Sequence, residues 1–472
     1  MSPRLLPCLA VVALAGCTVG PNHVPPTVAS APEWSEPAAP GAVDTAWWRT
    51  LGDPVLTELI ETAAHRNLDV REAEARLREA RALRDAAVGG SLPEIGASAS
   101  ATRNRLSRNG QIPIGSIPGF DRNFSLYDAG LDASWEIDLW GHDRRTVEAA
   151  GARAEAAEEA RRDTLLRIVA EVARDYAELR GAQARLASTR ADAEAQGGIA
   201  GLVDQRYQAG EAARFDFARA DAQAKTTAAA IPGIESDVRA AAYSLALLTG
   251  QPPEALAAKL LAPAPLPASP AKVAAGLRSD LLLRRPDIRR AERDLAAATA
   301  DVGVATAELF PRFSLIGSIG QQAQSTGDLD LGGSTRFSIG PSLHWPIFSG
   351  GRVRAQLRAA DARADAAAAR YERAVLTALA DSETAINRYA ATQATRAARE
   401  GALAQSKVAL DLAQQRYRAG EDDLVNLLDA QSAHSLAERQ TADAAEAELT
   451  ALTTLYKALG GGWQSFDESA AR

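Results

Sequence analysis

The chain has 472 residues, of which 46% are apolar and only 5% aromatic, and its formal net charge is −8. That length would suffice for about three ordinary domains, but long stretches of Ala, Glu, Arg and Leu predict long helices or coiled coils instead. The acidic total gives no support to nucleic-acid binding, which requires a basic surface. The sequence contains no nucleophile motif and no glycine-rich phosphate loop, so it does not indicate an enzyme.

The two cysteines, Cys8 and Cys17, both lie at the N-terminus. The folded body therefore has no disulfide framework and no cysteine metal site. Five scattered histidines form no ligand motif, and we expect no metal or cofactor other than a covalent lipid.

The pattern of residues 1–16 predicts a lipoprotein signal peptide. Arg4 precedes a short apolar stretch that ends in Leu14-Ala15-Gly16-Cys17, the pattern of a lipobox. About a dozen apolar residues are too few to span a bilayer, which takes about 20. We therefore predict cleavage before Cys17 and acylation of that cysteine, which would hold the chain on a membrane surface. The alternative is an ordinary signal peptide followed by a chance cysteine. Thr18 in the next position favours the outer membrane.

The remaining sequence contains a duplication. Arg206-Tyr207-Gln208-Ala209-Gly210-Glu211 recurs as Arg416-Tyr417-Arg418-Ala419-Gly420-Glu421, and Trp135 matches Trp345 at the same offset of 210 residues. Matches in the same order indicate two copies of one structural unit. The predicted divisions are an acylated tether (17–50), a first repeat (51–250), a Pro-rich linker (251–275), a second repeat (276–462) and a C-terminal tail (463–472). Residues 18–46 of the tether are expected to be extended, because their Pro, Ala, Ser and Thr content cannot form a packed core.

Each repeat is predicted as a helix, a β-hairpin, a long helix and a returning helix. Apolar residues at odd positions alternate with polar ones from Tyr127 to Leu139, and the pattern returns between Phe337 and Ile347. This alternation is typical of strands with one apolar face. The first helices are expected at 54–90 and 280–309, and the partner strands near 93–105 and 311–323.

Strands of this length can cross a bilayer when tilted, since about 9–11 residues suffice. A strand that faces lipid must belong to a closed barrel, because no water satisfies an open edge. Four strands cannot close around a usable lumen, so several chains would have to share one barrel. The alternative is a soluble sheet with one face on a core.

The long helices contain no proline from Gly141 to Tyr207, and none after Pro346. About 65 helical residues would extend roughly 100 Å. Gly210 and Gly420 predict the tips of the two helical hairpins. Pro232-Gly233 is expected to break the first returning helix.

Together these motifs resemble the TolC-like outer membrane factors, in their OprM/NodT-type lipoprotein branch, over essentially the whole mature chain. The motifs are Leu14–Cys17, Trp47-Trp48, Asn67-Leu68-Asp69, Trp345-Pro346-Ile347-Phe348 with Gly350-Gly351-Arg352, the two Tyr-x-Ala-Gly tips, Leu427-Leu428-Asp429-Ala430-Gln431 and Leu455–Trp463. The resemblance implies an α+β membrane protein, a homotrimer with a twelve-strand outer-membrane barrel to which each chain gives four strands. A long periplasmic coiled-coil barrel would continue it. It also implies docking to a periplasmic adaptor (a membrane fusion protein) and an inner-membrane RND-type pump.

The same resemblance assigns an entrance. Asp216 and Asp429 match positions where family members place aspartates in the entrance lumen, and threefold symmetry would make each a ring of three carboxylates. The alternative is that both are solvated acids on amphipathic helices. Tyr417 matches a tyrosine of the family's closing network, whereas Asp422 stands where some members have an arginine. A second aspartate of the best-studied relatives is replaced by Asn426.

Two further groups of residues have open interpretations. The tips with Gly210-Glu211 and Gly420-Glu421 match the adaptor contact, although glycine also suits a plain helix turn. Trp135, Trp345 and Phe337 suit either aromatic girdles at the lipid boundary or the junction between strands and helices.

The preferred function is a passive outer-membrane duct for drugs or other small molecules, lipid-anchored and extending into the periplasm. The alternatives are a duct for type I protein secretion and a periplasmic coiled-coil scaffold without a pore.

Overall fold

The computed structural model describes residues 18–27, 31, 33–107 and 121–470, and of residues 468–470 only the backbone. The predicted signal peptide and Cys17 lie outside the described residues. The chain divides into two compact units. The sheet unit contains residues 18–26, Leu77–Ala157 and Ala291–Tyr371, and the helical unit contains Thr27–Arg76, Glu158–Arg290 and Glu372 onward. Each unit draws on both sequence repeats.

The order of elements is repeated as the duplication predicts. The first copy consists of α1 (Pro54–Arg66), α2 (Leu68–Gly90), β1 (Glu94–Arg105), β2 (Asn123–Ile137), α3 (His142–Gln208) and α4 (Arg214–Leu248). Two short helices follow, α5 (Ala257–Leu260) and α6 (Leu281–Arg284). The second copy consists of α7 (Pro286–Ala307), β3 (Arg312–Ala323), β4 (Thr335–His344), α8 (Arg352–Ala419) and α9 (Leu424–Ala458), and α10 (Gln464–Ala470) ends the described chain.

The sheet unit is built on one antiparallel sheet in the order β1-β2-β3-β4. Gly130 pairs with Gly320 in its middle. A Cβ on Gly130 would lie 2.7 Å from the carbonyl oxygen of Ile319, and one on Gly320 would lie 2.6 Å from that of Ala129. Only glycine therefore allows the two central strands to approach this closely.

The alternation read from the sequence produces two distinct faces. Leu131 pairs with Ala97 and with Ile319, and Ile319 pairs with Phe337, so the odd-numbered apolar residues of all four strands share one face. No layer covers that face in the described part of the sheet unit, since Ile95, Leu131, Ile319, Phe337 and Ile339 are 51–77% exposed. A soluble sheet would bury these side chains against a core.

Trp135 and Trp345 occupy equivalent places in the two repeats. The indole N–H of Trp135 donates to the Ser91 carbonyl at 3.2 Å, and that of Trp345 donates to the Leu309 carbonyl at 3.2 Å. Both acceptors lie between a helix and the first strand of its hairpin. Both indoles are thus fixed at the strand–helix junction while remaining partly exposed.

The helix predicted over 54–90 is two helices, because Asn67 interrupts it. The Asn67 side-chain oxygen accepts from the backbone N–H of Asp69 at 2.8 Å and of Val70 at 3.2 Å, which caps α2. Its amide also donates to the Leu248 carbonyl at 2.8 Å. The counterpart predicted over 280–309 is divided in the same way at Pro286, which begins α7.

The prediction that Pro232-Gly233 breaks the first returning helix is wrong. α4 continues from Arg214 to Leu248 with Pro232 inside it. An interior proline costs about 3 kcal/mol, but the residues after it pack continuously on the core of the helical unit through Val238, Ala242 and Leu245. Burial of this apolar stripe outweighs the lost backbone bond.

The core of the helical unit includes segments that the sequence predicted to be peripheral. Trp47 stacks on Tyr456 with ring centroids 4.8 Å apart, and Trp48 stacks on Phe466 at 5.7 Å. Trp463, in the predicted tail, is buried in the same cluster. The expectation that residues 18–46 cannot join a packed core is wrong for Val43, which is buried in this cluster, because composition does not reveal which apolar side chain packs against a core.

α3 and α8 are single helices of 67 and 68 residues, as the absence of proline predicted. Among the described helices, none combines the length and the apolar character needed to cross a bilayer.

Candidate functional site

The two helical hairpins of the helical unit have tips of the same geometry. Gly210 and Gly420 adopt φ values of +77° and +76°. The backbone N–H groups of Glu211 and Glu421 donate to the carbonyl five residues earlier at 2.8 and 3.0 Å, which forms a Schellman turn in each copy. A Cβ on either glycine would meet nothing within 4 Å. Backbone conformation rather than space therefore requires glycine, and the turns present both glutamates to solvent.

A small apolar cluster lies behind the tips and contains Tyr417. The ring of Tyr417 is buried, and the guanidinium of Arg206 lies 4.8 Å from its centroid. This cation–π contact joins the end of α3 to the end of α8. The other buried members are Ala200, Val203, Ala220, Leu410, Leu424, Leu427 and Leu428.

Asp422 is held by local contacts in the turn before α9. Its carboxylate accepts from the Asn426 amide at 2.5 Å and from the backbone N–H of Asp423 at 3.0 Å, and it lies 3.4 Å from the Nε of Arg416. The hydrogen bond from Asn426, aided by that from Asp423, lowers the pKa of Asp422 below its ordinary value. Asp422 and Asn426 thus form a pair with each other.

Asp216 and Asp429 lie at the beginnings of the returning helices. Asp216 is half-buried in the first turn of α4, and Asp429 is exposed in the second turn of α9. Acids near a helix N-terminus are also favoured by the helix dipole. Their placement beside the tips suits an entrance.

A buried polar network, which the sequence analysis missed, crosses the coils of the helical unit. We call Asp192, Gln196, Gln431 and Ser435 the Asp192 network; all four are 2–4% exposed. The Asp192 carboxylate accepts from the Gln431 amide at 3.0 Å and from the Gln196 amide at 2.9 Å, and the Gln431 amide also lies 3.3 Å from the Ser435 hydroxyl. The network therefore bonds α3 of the first repeat to α9 of the second.

A signal for this network exists in the sequence. Leu424, Leu427, Gln431 and Ser435 follow the spacing of three and four residues that marks the seam of a coil. Polar residues at seam positions fix the register of packed helices at some cost in stability. Gln431 and Ser435 could have been recognised by their place in this pattern.

Comparisons with known proteins agree over nearly the whole chain. A family model described as outer membrane efflux protein matches residues 59–251 and 277–461. The pyoverdine export outer membrane protein OpmQ of Pseudomonas putida is 33% identical over 98% of both chains. Outer membrane protein OprJ of Pseudomonas aeruginosa is 34% identical, over 96% of this chain and 95% of its own. Among solved structures, the outer-membrane channel OprN matches with a TM-score of 0.88 and 39% identity, covering 95% of this chain and 100% of OprN.

Proposed function

We propose, because this chain belongs to the outer membrane efflux protein family, that three copies of it form the exit duct of a tripartite efflux system. The chain is an outer-membrane component of efflux and not an enzyme. The proposal adds the trimer, the shared barrel, the lipid anchor and the partners.

The uncovered apolar face of the sheet carries the proposal. That face exposes large side chains from all four strands, and β1 and β4 are the edges of the sheet. In lipid an open edge leaves backbone groups without partners. Pairing β4 of one copy with β1 of the next would close three four-stranded sheets into one twelve-strand barrel. A scaffold without a pore would leave the apolar face unexplained.

The opposite face of the sheet suits the lumen of such a barrel. Asp128 and Arg336 form a bidentate pair at 2.6 and 2.7 Å there, and Asp132 accepts from the hydroxyl of Ser98 at 2.8 Å. The Arg336 side chain passes beside Gly130, where an added Cβ would lie 3.3 Å from its guanidinium. Polar side chains in paired contacts favour a water-filled interior.

The helical hairpins would form the periplasmic part and its entrance. Asp216 and Asp429 are assigned to the entrance, Tyr417 and Asp422 to its closing network, and Gly210-Glu211 with Gly420-Glu421 to the contact with a periplasmic adaptor. An inner-membrane RND-type pump would select the cargo, because a duct offers no enclosed pocket. OpmQ is described as exporting pyoverdine, and by analogy the cargo proposed here is a small molecule.

Replacing Asp429 with alanine tests the entrance. We expect Asp429→Ala to weaken block of the duct by divalent cations about tenfold, because a ring of three carboxylates is lost. The measurement is block of single-channel current in planar bilayers as a function of Mg²⁺ concentration. Asp221→Ala is the matched control, since that carboxylate is already paired with Lys225 at 2.7 Å. An unchanged blocking affinity in Asp429→Ala would remove Asp429 from the entrance.

Replacing Cys17 with serine tests the anchor and the trimer together. We expect Cys17→Ser to abolish incorporation of a radioactive fatty acid, while native mass spectrometry still detects trimers held by the barrel. Cys8→Ser is the control and should retain the label, because the predicted cleavage removes Cys8. Label that persists in Cys17→Ser would refute the acylation site, and monomers in the unaltered protein would refute the shared barrel.

A further inference from the structure

The residues that follow Cys17 are seated on the sheet unit rather than free. We call residues 18–23 the anchor segment. The backbone N–H of Val19 donates to the Trp140 carbonyl at 3.0 Å. Farther along, the His23 ring lies 3.6 Å from the Glu292 carboxylate. A segment that the composition predicted to be an extended tether is thus held by contacts near both of its ends.

A single buried arginine supplies most of these contacts. Arg145 is 3% exposed, and its guanidinium donates to the carbonyls of Val19 and Gly20 at 3.3 Å and to the side-chain oxygen of Asn22 at 2.8 Å. Its remaining bond, at 2.7 Å, is to Glu148 one turn along α3. A buried guanidinium is stable only when such partners are present. The anchor segment therefore completes the coordination of Arg145, and Arg145 holds the segment.

Three glycines make the fit close enough for this contact. A Cβ on Gly20 would lie 2.5 Å from the Cα of Gly303, and one on Gly303 would lie 2.8 Å from the side chain of Arg145. A Cβ on Gly141 would lie 2.6 Å from the side chain of Thr18. Gly20 and Gly141 also adopt positive φ, +86° and +85°. Larger residues would lift the segment off its seat.

The anchor segment lies against the junction between a strand and the helix that follows it. Thr18 contacts Gly141, which stands between the end of β2 at Ile137 and the start of α3 at His142. Thr18 directly follows the predicted acylation site in the sequence.

We propose that Arg145 is a positioning residue that seats the anchor segment and so fixes the residues that follow the predicted acylation site beside the end of β2, at the boundary between membrane strand and water. The inference rests on the proposed function for the acylation of Cys17 and for the membrane strands. The two ends of a free, flexible tether of n residues would lie about 5–6 Å × √n apart on average. A seated tether keeps the residues that follow the lipid at one place on the sheet unit.

Hydrogen exchange of the anchor segment tests the seat. In purified full-length protein we expect Arg145→Met to accelerate exchange of the Val19 amide about tenfold or more, with exchange in β1–β4 unchanged and the lipid on Cys17 still present by mass. Gly20→Ala should give the same local acceleration, and it cannot act by unfolding the body because Gly20 is exposed. Arg153→Met is the matched control: Arg153 lies on the same helix as Arg145, and loss of its exposed ion pair with Asp301 of α7 should leave the segment protected.

A third variant separates the seat from the lipid. Cys17→Ser should keep slow exchange at Val19, because protein contacts and not acyl chains hold the segment. Slow exchange in both Arg145→Met and Gly20→Ala would overturn the inference, and so would exchange in Cys17→Ser as fast as in Arg145→Met. Absence of lipid from the unaltered protein would instead refute the acylation and leave the contacts of Arg145 intact.

Discussion

Replacing Asp192 with alanine is expected to release α3 from α9 behind the entrance and to raise the single-channel conductance. The substitution removes the acceptor for the Gln431 and Gln196 amides. Hydrogen bonds to a charged group contribute about 1.5–3 kcal/mol each, and the amides left behind remain buried. A loss of about 3 kcal/mol would shift the balance between joined and separated coils by about a hundredfold.

The control for this experiment keeps the acceptor and removes only the charge. Asp192→Asn offers its side-chain oxygen to the same two amides but loses the charge that strengthens both bonds and that faces Arg439 at 3.8 Å, so its effect on conductance should be clearly smaller than that of Asp192→Ala. Conductance and thermal stability that are both unchanged in Asp192→Ala would show that the Asp192 network does not hold the coils together.

Replacing Trp48 with alanine is expected to have the largest effect on stability. Trp48 has no exposed surface and stacks on Phe466 with the rings 5° from parallel. Truncation of a buried tryptophan costs about 3–5 kcal/mol, because it leaves a cavity as well as losing burial. The measurement is chemical denaturation of the detergent-solubilised protein, followed by tryptophan fluorescence and circular dichroism.

A double-mutant cycle measures how much of this loss of stability comes from the stacking of Trp48 on Phe466. Trp48→Phe retains a ring and should cost less than half as much as Trp48→Ala. Combining Trp48→Ala with Phe466→Ala should reveal a coupling of about 0.5–1.5 kcal/mol. If the two losses of unfolding free energy simply add, the contact of Phe466 with Trp48 contributes no measurable stability.

The frame of the molecule could be predicted from sequence because its determinants are periodic. Strict alternation around Leu131 fixed a strand and its apolar face, and the absence of proline after Gly141 predicted an unbroken helix. Duplication let each pattern be read twice. The breaks at Asn67 and Pro286 were missed although the cap and the proline were legible, because helical periodicity continues across them.

Contacts between distant segments could not be predicted in the same way. Nothing in the residues around Trp48 indicates that Phe466 covers it, and nothing in the tether indicates that Arg145 binds it. The break predicted at Pro232 was wrong because proline has a low helix propensity, whereas the packing of Val238 and Leu245 on the core keeps the helix continuous. The sequence could have revealed the Asp192 network, since Gln431 and Ser435 interrupt an apolar seam.

The residues assigned to the entrance have structural settings but no tested roles. Tyr417 lies in a buried cluster behind the tips, and Asp422 has local partners of its own. The roles of Asp216, Asp429 and the two tips remain predictions, because they depend on three chains meeting around one axis.

Conductance of the purified protein in planar bilayers tests the central claim most directly. If three chains form one duct, the unaltered protein or Asp192→Ala will produce discrete current steps, and Asp429→Ala will change their block by Mg²⁺. Complete absence of current steps from membranes that contain inserted trimers of both the unaltered protein and Asp192→Ala would contradict the duct.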